Sequence, residues 1–204
     1  MKVRILAIAA SALLIASCGV TDRAGAAAIV GGQKISSADV AAQVKEVRFD
    51  IEHTNPELLQ TIPTEALMSQ MIIDRLVLEE ILTYAVKDLN IKISDAEVAA
   101  YRTDVFTQYG EDEVKAQLAT QNGLANKYVD DFMYDILVQT EIMNRLAPGQ
   151  AQEVQAPALF QYLSEIVAKN SVEVSPRYGS WDPQTMRTVL GDTLLSTTTA
   201  AVTN

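Results

Sequence analysis

Cysteine and histidine each occur once in the 204-residue chain, as Cys18 and His53. One thiol excludes a disulfide within the chain, so stability rests on packing. One thiol and one imidazole are too few for a structural zinc site, which takes four ligands of these kinds. No Gly-x-Ser-x-Gly elbow, phosphate-binding loop or dinucleotide fingerprint occurs. Basic residues are the minority, 16 Lys and Arg against 26 Asp and Glu, for a net charge of −10. Such a surface repels phosphate backbones, which argues against nucleic acid as a partner.

What is present begins at the amino end. Lys2 and Arg4 precede an apolar run from Ile5 to Ile15, too short to span a bilayer and right for the core of a signal peptide. Ala16 and Ser17 are small, and Cys18 follows. The segment Ile15-Ala16-Ser17-Cys18 resembles a bacterial lipobox. That resemblance implies a diacylglyceryl group on the Cys18 sulfur and cleavage that leaves Cys18 as the first residue. Acyl chains such as palmitate would then hold the protein to a lipid bilayer, two chains doing so stably where one does not. The competing assignment is an ordinary signal peptide cut near Ala24-Gly25-Ala26. Residues 18–28 are small and polar and predict a tether, whose stretch from Gly19 reaches roughly 16–19 Å as a flexible coil.

The rest is dominated by helical periodicity. Apolar residues around Gly31-Gly32 predict a hairpin. Val40, Val44, Val47 and Ile51 predict a helix broken by Asn55-Pro56. A long helix is expected from Pro63, at its first position, to Leu89, with a stripe broad enough to pack on more than one side. Ser94-Asp95-Ala96-Glu97 is a capping box before a helix that ends near Gly110. A short helix ends at Asn122-Gly123, and another runs from Leu124 to Leu146 with Tyr128, Phe132, Ile136, Gln139 and Met143 on one stripe. Gln150–Ala156 reads as a connector, Pro157–Asn170 as a helix, and Ser171–Ser175 as a short strand. Two isolated strands at opposite ends of a chain are expected to pair.

The string Ile29-Val30-Gly31-Gly32-Gln33-Lys34-Ile35-Ser36 is one of several that together resemble the N-terminal domain of the SurA/PrsA foldase family, in its actinobacterial lipoprotein form. The others are Ile73-Asp74-Arg75-Leu76-Val77, the cap Ile91 to Val98, and the closing motif Val172 to Pro183. The resemblance implies a mainly α fold, a SurA N-terminal-like helical domain over residues 29–183, with a small β element joining the N- and C-terminal strands. Residues 1–17 would be the signal peptide and 184–204 a disordered tail. It also implies an envelope chaperone, a holdase that binds unfolded exported polypeptides, on the extracytoplasmic face of the cell membrane. Foldases of the family carry a parvulin prolyl isomerase domain with paired histidines. Only Ala147–Ser171 separates the two parts here, too little for such a domain. The alternatives are a lipoprotein that docks one envelope partner and, ranked below it, a peptidyl-prolyl isomerase.

No catalytic residue, cofactor or metal ligand is assigned. Met68, Met71 and Met133, with Phe132 and Tyr134, are candidates for a client-binding groove, because methionine adapts its shape to varied apolar partners. Core packing is the commoner use of methionine. Arg177, Tyr178, Gly179, Trp181 and Asp182 read as a structural motif, with Gly179 at a sharp turn. Glu79-Glu80, Asp130-Asp131 and Glu111-Asp112-Glu113 read as solvated faces, since neighbours on a helix point apart. His53 reads as a surface residue. Cys18→Ser is expected to abolish palmitate labelling and to release the protein from the membrane pellet. An unlabelled wild-type chain beginning near Ala26 would assign the ordinary cleavage site instead.

Overall fold

Strand β1 (Ala26–Val30) and strand β2 (Gln33–Ser36) form an antiparallel hairpin in the computed structural model, which describes residues 23–190. Gly31 and Gly32 make the turn with φ of 55° and 87°. A two-residue turn matched to the twist of its strands needs left-handed backbone at both positions, and glycine supplies it. On the other side of β1 lies β3 (Val172–Val174), antiparallel, with Ala28 opposite Val174 and Val30 opposite Val172. The sheet order is β2-β1-β3, so strands from the two ends of the chain meet as the sequence predicts.

Cys18 and the signal segment 1–17 lie outside the described residues. The tether of residues 18–28, however, is corrected at its far end. Ala26, Ala27 and Ala28 are strand, and Ala27 and Ala28 are buried. Small side chains let the sheet lie close to the helices below it. Arg23 is also tied down, its guanidinium 2.9 Å from Glu173 on β3.

Helix α1 (Ser37–Thr54) starts at Ser36, whose hydroxyl accepts the Asp39 amide at 3.0 Å. Val40, Val44, Val47 and Ile51 face the core. After a short 3-10 turn, α2 (Glu65–Leu89) begins at a Thr64 cap, so Pro63 precedes the helix instead of opening it. Its 25 residues run about 38 Å. Around it pack α1, α4, α5, α6, β1, β2 and β5. Met68, Ile72, Ile73, Val77, Ile81, Leu82 and Ala85 are buried, a spread that covers most of the helix circumference.

Helices α3 (Asp95–Tyr109) and α4 (Glu111–Asn122) form a hairpin. The Ser94–Glu97 capping box is formed in both directions, and Gly123 ends α4 at φ 60°. Their apolar faces make a second, smaller core with Leu124, Val129 and Met133. Helix α5 (Val129–Leu146) begins later than Leu124, because Leu124 and Ala125 are buried in an extended link and Asn126–Tyr128 is a 3-10 turn. The Asn126 amide donates to Asp50 on α1 at 2.6 Å, which fixes that link. Helix α6 (Gln152–Asn170) starts earlier than Pro157 and contains it. The missing proline N–H forgoes one bond near the helix start, a cost that packing of Leu163, Ile166 and Val167 offsets.

The expected disordered tail of 184–204 is corrected up to residue 190. Strands β4 (Ser180–Asp182) and β5 (Arg187–Val189) form a hairpin. Asp182 accepts the Gln184 amide at 2.9 Å and the Thr185 hydroxyl at 2.8 Å, which closes its turn. Three-residue strands are too short to leave a period in sequence. Residues 191–204 lie outside the description.

Gly179 enters this hairpin at φ 125°, and a Cβ there would stand 2.4 Å from the Val189 carbonyl oxygen. Gly179→Ala is expected to cost about 2–4 kcal/mol and to loosen β4–β5. Gly32→Ala meets no neighbour within 4 Å and carries only the strain of its positive φ, about 1 kcal/mol. Equal losses in urea melts of the two variants would contradict this account.

Candidate functional site

Of the stripe Tyr128, Phe132, Ile136, Gln139 and Met143, Tyr128 packs against both cores and Phe132 and Ile136 against the smaller one. Val129, Met133, Val138 and Ile142 are the buried apolar residues of α5. Part of the predicted stripe, Phe132 and Gln139, also lines a groove. The groove encloses about 410 Å³ between α2, α5, α6 and the β4–β5 hairpin. Its apolar lining includes Met71 and Leu78 from α2, Phe132 from α5, Leu159 and Phe160 from α6, and Trp181 from β4. Phe160 is 40% exposed, a large apolar ring left open to water.

The candidates from sequence divide among three places. Met71 and Phe132 come together in the groove. Met68 and Met133 are 0% and 2% exposed and belong to the two cores, so they are corrected as surface candidates. The cause is helical phase: Met68 and Ile72 share the face of α2 that packs against its neighbours, and Met71 lies a quarter turn away. Tyr134 faces a separate pocket with Glu79, Leu82 and Asp135. Trp181, read as structural, lines the groove, and Phe160 was not singled out. Phe160 stands three residues before Leu163 and seven before Val167, on the edge of the packing stripe, so its period alone predicts burial and only the structure shows it open.

The closing motif is placed on the β4 side. Tyr178 donates its amide to the Ser175 carbonyl at 2.8 Å, and the Arg177 guanidinium stands 5.8 Å from the Tyr178 ring centre. Asp182 closes the β4–β5 turn, and its two hydrogen bonds hold its carboxyl below the ordinary range. His53 is exposed and stacks on Phe49, ring centres 3.9 Å apart.

Polar side chains of α2 set the groove's shape. Thr188 on β5 donates its amide to Asp74 at 2.7 Å and accepts at its carbonyl from the Gln70 amide group. Gln70 and Asp74 stand four apart on one helical face, so together they bind both main-chain groups of one strand residue. Burial raises the Asp74 carboxyl, partly offset by its bond from Thr188. Arg75 is buried against Gln43 of α1, which accepts from it, and lies 3.7 Å from Glu79 and 5.6 Å from the Tyr128 ring centre. Burial lowers its affinity for the proton. Among the described residues the Arg75 Nε and Trp181 Nε1 groups have no partner, and both residues line the groove.

One acidic pair departs from the solvated-face reading. Glu79 is half-buried, and burial raises its carboxyl. Beside it Asp135 is pushed up to about 7, first by burial and then by the Glu79 charge, with Arg75 pulling down and Asp131 pushing up. Among the described residues no helix is long and apolar enough to cross a membrane, and no group of three side chains is placed to hold a metal.

Comparison with known proteins gives one match: the family model of the SurA-like N-terminal domain covers residues 1–142. The match stops within α5, so α6 and the closing motif, two walls of the groove, lie beyond it. No curated protein and no solved structure matches the chain.

Native Asp135 holds a proton that the unfolded chain releases near 3.8. Its contribution to stability is therefore full below that value and is lost as the pH rises through about 7. Asp135→Asn is expected to raise stability at pH 8 by about 2 kcal/mol, with the gain shrinking toward pH 5. Thermal melts at the two pH values check this; a gain independent of pH would remove burial of the charge as its cause.

Proposed function

The chain belongs to the SurA-like N-terminal domain family, and from that membership we propose that it is a membrane-anchored envelope holdase. The family is chaperone-related, and its domains bind unfolded polypeptides in general. The groove carries the finer reading. It is mostly apolar and open, walled by α2, α5, α6 and the β4–β5 hairpin, and it presents Met71, Phe132, Phe160 and Trp181 to whatever enters. Apolar segments of an unfolded chain lose water on entering it, at about 25 cal/mol per Å² of apolar surface buried. Binding by surface burial needs no fixed client sequence, and no bond is made or broken.

The anchor supports the same role. Acylated Cys18 would keep the domain on the extracytoplasmic face of the cell membrane, where exported chains emerge. A tethered binder acts at the effective concentration its tether sets. With β1 beginning at Ala26 and Arg23 held by Glu173, that tether is shorter than the sequence suggests, which keeps the groove near the bilayer.

Light scattering of a denatured secreted protein tests the groove. The mature chain is expected to suppress aggregation of several unrelated clients in a dose-dependent way. Phe160→Asp is expected to weaken suppression at least about fivefold, the loss of one buried aromatic contact, with an unchanged melting temperature. Val154→Asp, exposed on the same helix but outside the groove lining, should leave it intact. No suppression by the wild-type chain at several-fold excess would turn the assignment to a single dedicated partner. Sub-stoichiometric acceleration of proline-limited refolding would turn it to an isomerase.

A further inference from the structure

Next to the groove, α2 and α5 enclose a smaller pocket of about 300 Å³. Leu82, Val86 and Tyr134 form its apolar wall, Glu79, Asp131 and Asp135 are acidic, and Thr83 and Lys87 complete the lining, so three carboxylates face one ammonium. Asp135 is the unusual member. It is only 9% exposed, it lines the pocket, and its carboxylate has no hydrogen-bond or ion-pair partner among the described residues. The cations near it are engaged elsewhere. Arg75 is bound to Gln43 and paired with Glu79, and Lys87 lies over the Tyr84 ring, 5.9 Å from its centre. Glu79 and Asp131 add negative charge from either side. A buried carboxylate left without a partner is costly, and an incoming positive charge relieves that cost. A metal ion does not suit the place, since the three carboxylates there are not placed to share one ion.

We propose that this pocket is a subsite for one cationic side chain, arginine or lysine, of a bound polypeptide, whose aliphatic stem lies along Leu82, Val86 and Tyr134 and whose charged head meets Asp135. The division of the walls matches the division of such side chains into an apolar stem and a polar head. The planar fork of arginine can also reach a second carboxylate, Asp131 or Glu79, which favours it over lysine. The chain's net charge of −10 draws basic segments toward the surface before they dock. This inference rests on the holdase reading and sharpens it: the client segment is apolar with a basic residue, where the groove alone would accept any apolar segment.

The test uses two fluorescein-labelled peptides of one leucine-rich sequence, one with a central arginine and the other with citrulline, its neutral isostere. Fluorescence anisotropy with the mature chain gives their affinities at pH 7.5. The arginine peptide is expected to bind about tenfold more tightly. Asp135→Asn should bring that ratio near one, and Asp104→Asn, an exposed carboxylate on α3, should leave it unchanged. Should Asp135→Asn fail to fold, Asp131→Asn at the pocket rim carries the same expectation with a smaller drop. At pH 5.5 the wild-type ratio should fall, because Asp135, flanked by Glu79 and Asp131 and facing Arg75, is then protonated. Equal binding of the two peptides by the wild type would overturn the subsite and leave the holdase reading standing. An equal loss of preference in Asp104→Asn and Asp135→Asn would assign it to net charge and overturn the subsite as well. Binding of neither peptide would overturn both.

Discussion

A helix buried on most of its circumference has to be given partners on every side, and α2 imposes that constraint on the rest of the chain. Its apolar residues call for the sheet, α1, α5 and α6 around it. Its polar residues are more selective. A polar group inside a core is tolerated only when bonded, so each one names the element it must meet. Gln70 and Asp74 can be satisfied only by a strand presenting both main-chain groups, which β5 does through Thr188. Arg75 meets α1 through Gln43. The hairpin that walls the groove is therefore fixed by two side chains of the central helix as much as by its own short ladder.

The same constraint leaves the two openings. α6 and the hairpin both pack on α2, and the groove lies between them. Where α5 packs on α2, acidic residues of the two helices line one pocket, and Asp135 among them is buried. Apolar grip and charge thus lie on adjoining faces of one helix pair, Phe132 on one side and Asp131 with Asp135 on the other.

Much of the helical outline was legible in sequence, because period and caps are local. Ser94 and Gly123 mark helix ends where the sequence places them. The pairing of β1 with β3 was also readable, since neither strand is stable alone. The boundaries that moved did so for non-local reasons. Ala26–Ala28 resembles a tether until a strand from the far end of the chain pairs with it. Arg187–Val189 carries no pattern because α2 holds it through the main chain. For the site, methionine identity was a poor guide and helical phase a better one: Met71 reaches the groove and Met68, one turn earlier on a different face, does not. Asp135 carried no signal, as a carboxylate on an amphipathic helix is ordinary until its neighbours bury it. The family match reaches residue 142, so membership speaks for α2 and most of α5 and is silent on α6 and the hairpin.

The pairing of Ala28 with Val174 and of Val30 with Val172 sets an order in time. A chain made from its amino end presents β1 and β2 first, and the partner strand emerges only after the six described helices. Until then one edge of β1 is an open row of main-chain donors and acceptors, and the small apolar sheet has no third strand. Contacts between such distant residues are slow to form, because the loop entropy is lost before the pairing compensates it. Closure of the domain is therefore a late event in its own biogenesis, and an interrupted or truncated chain would keep that edge open.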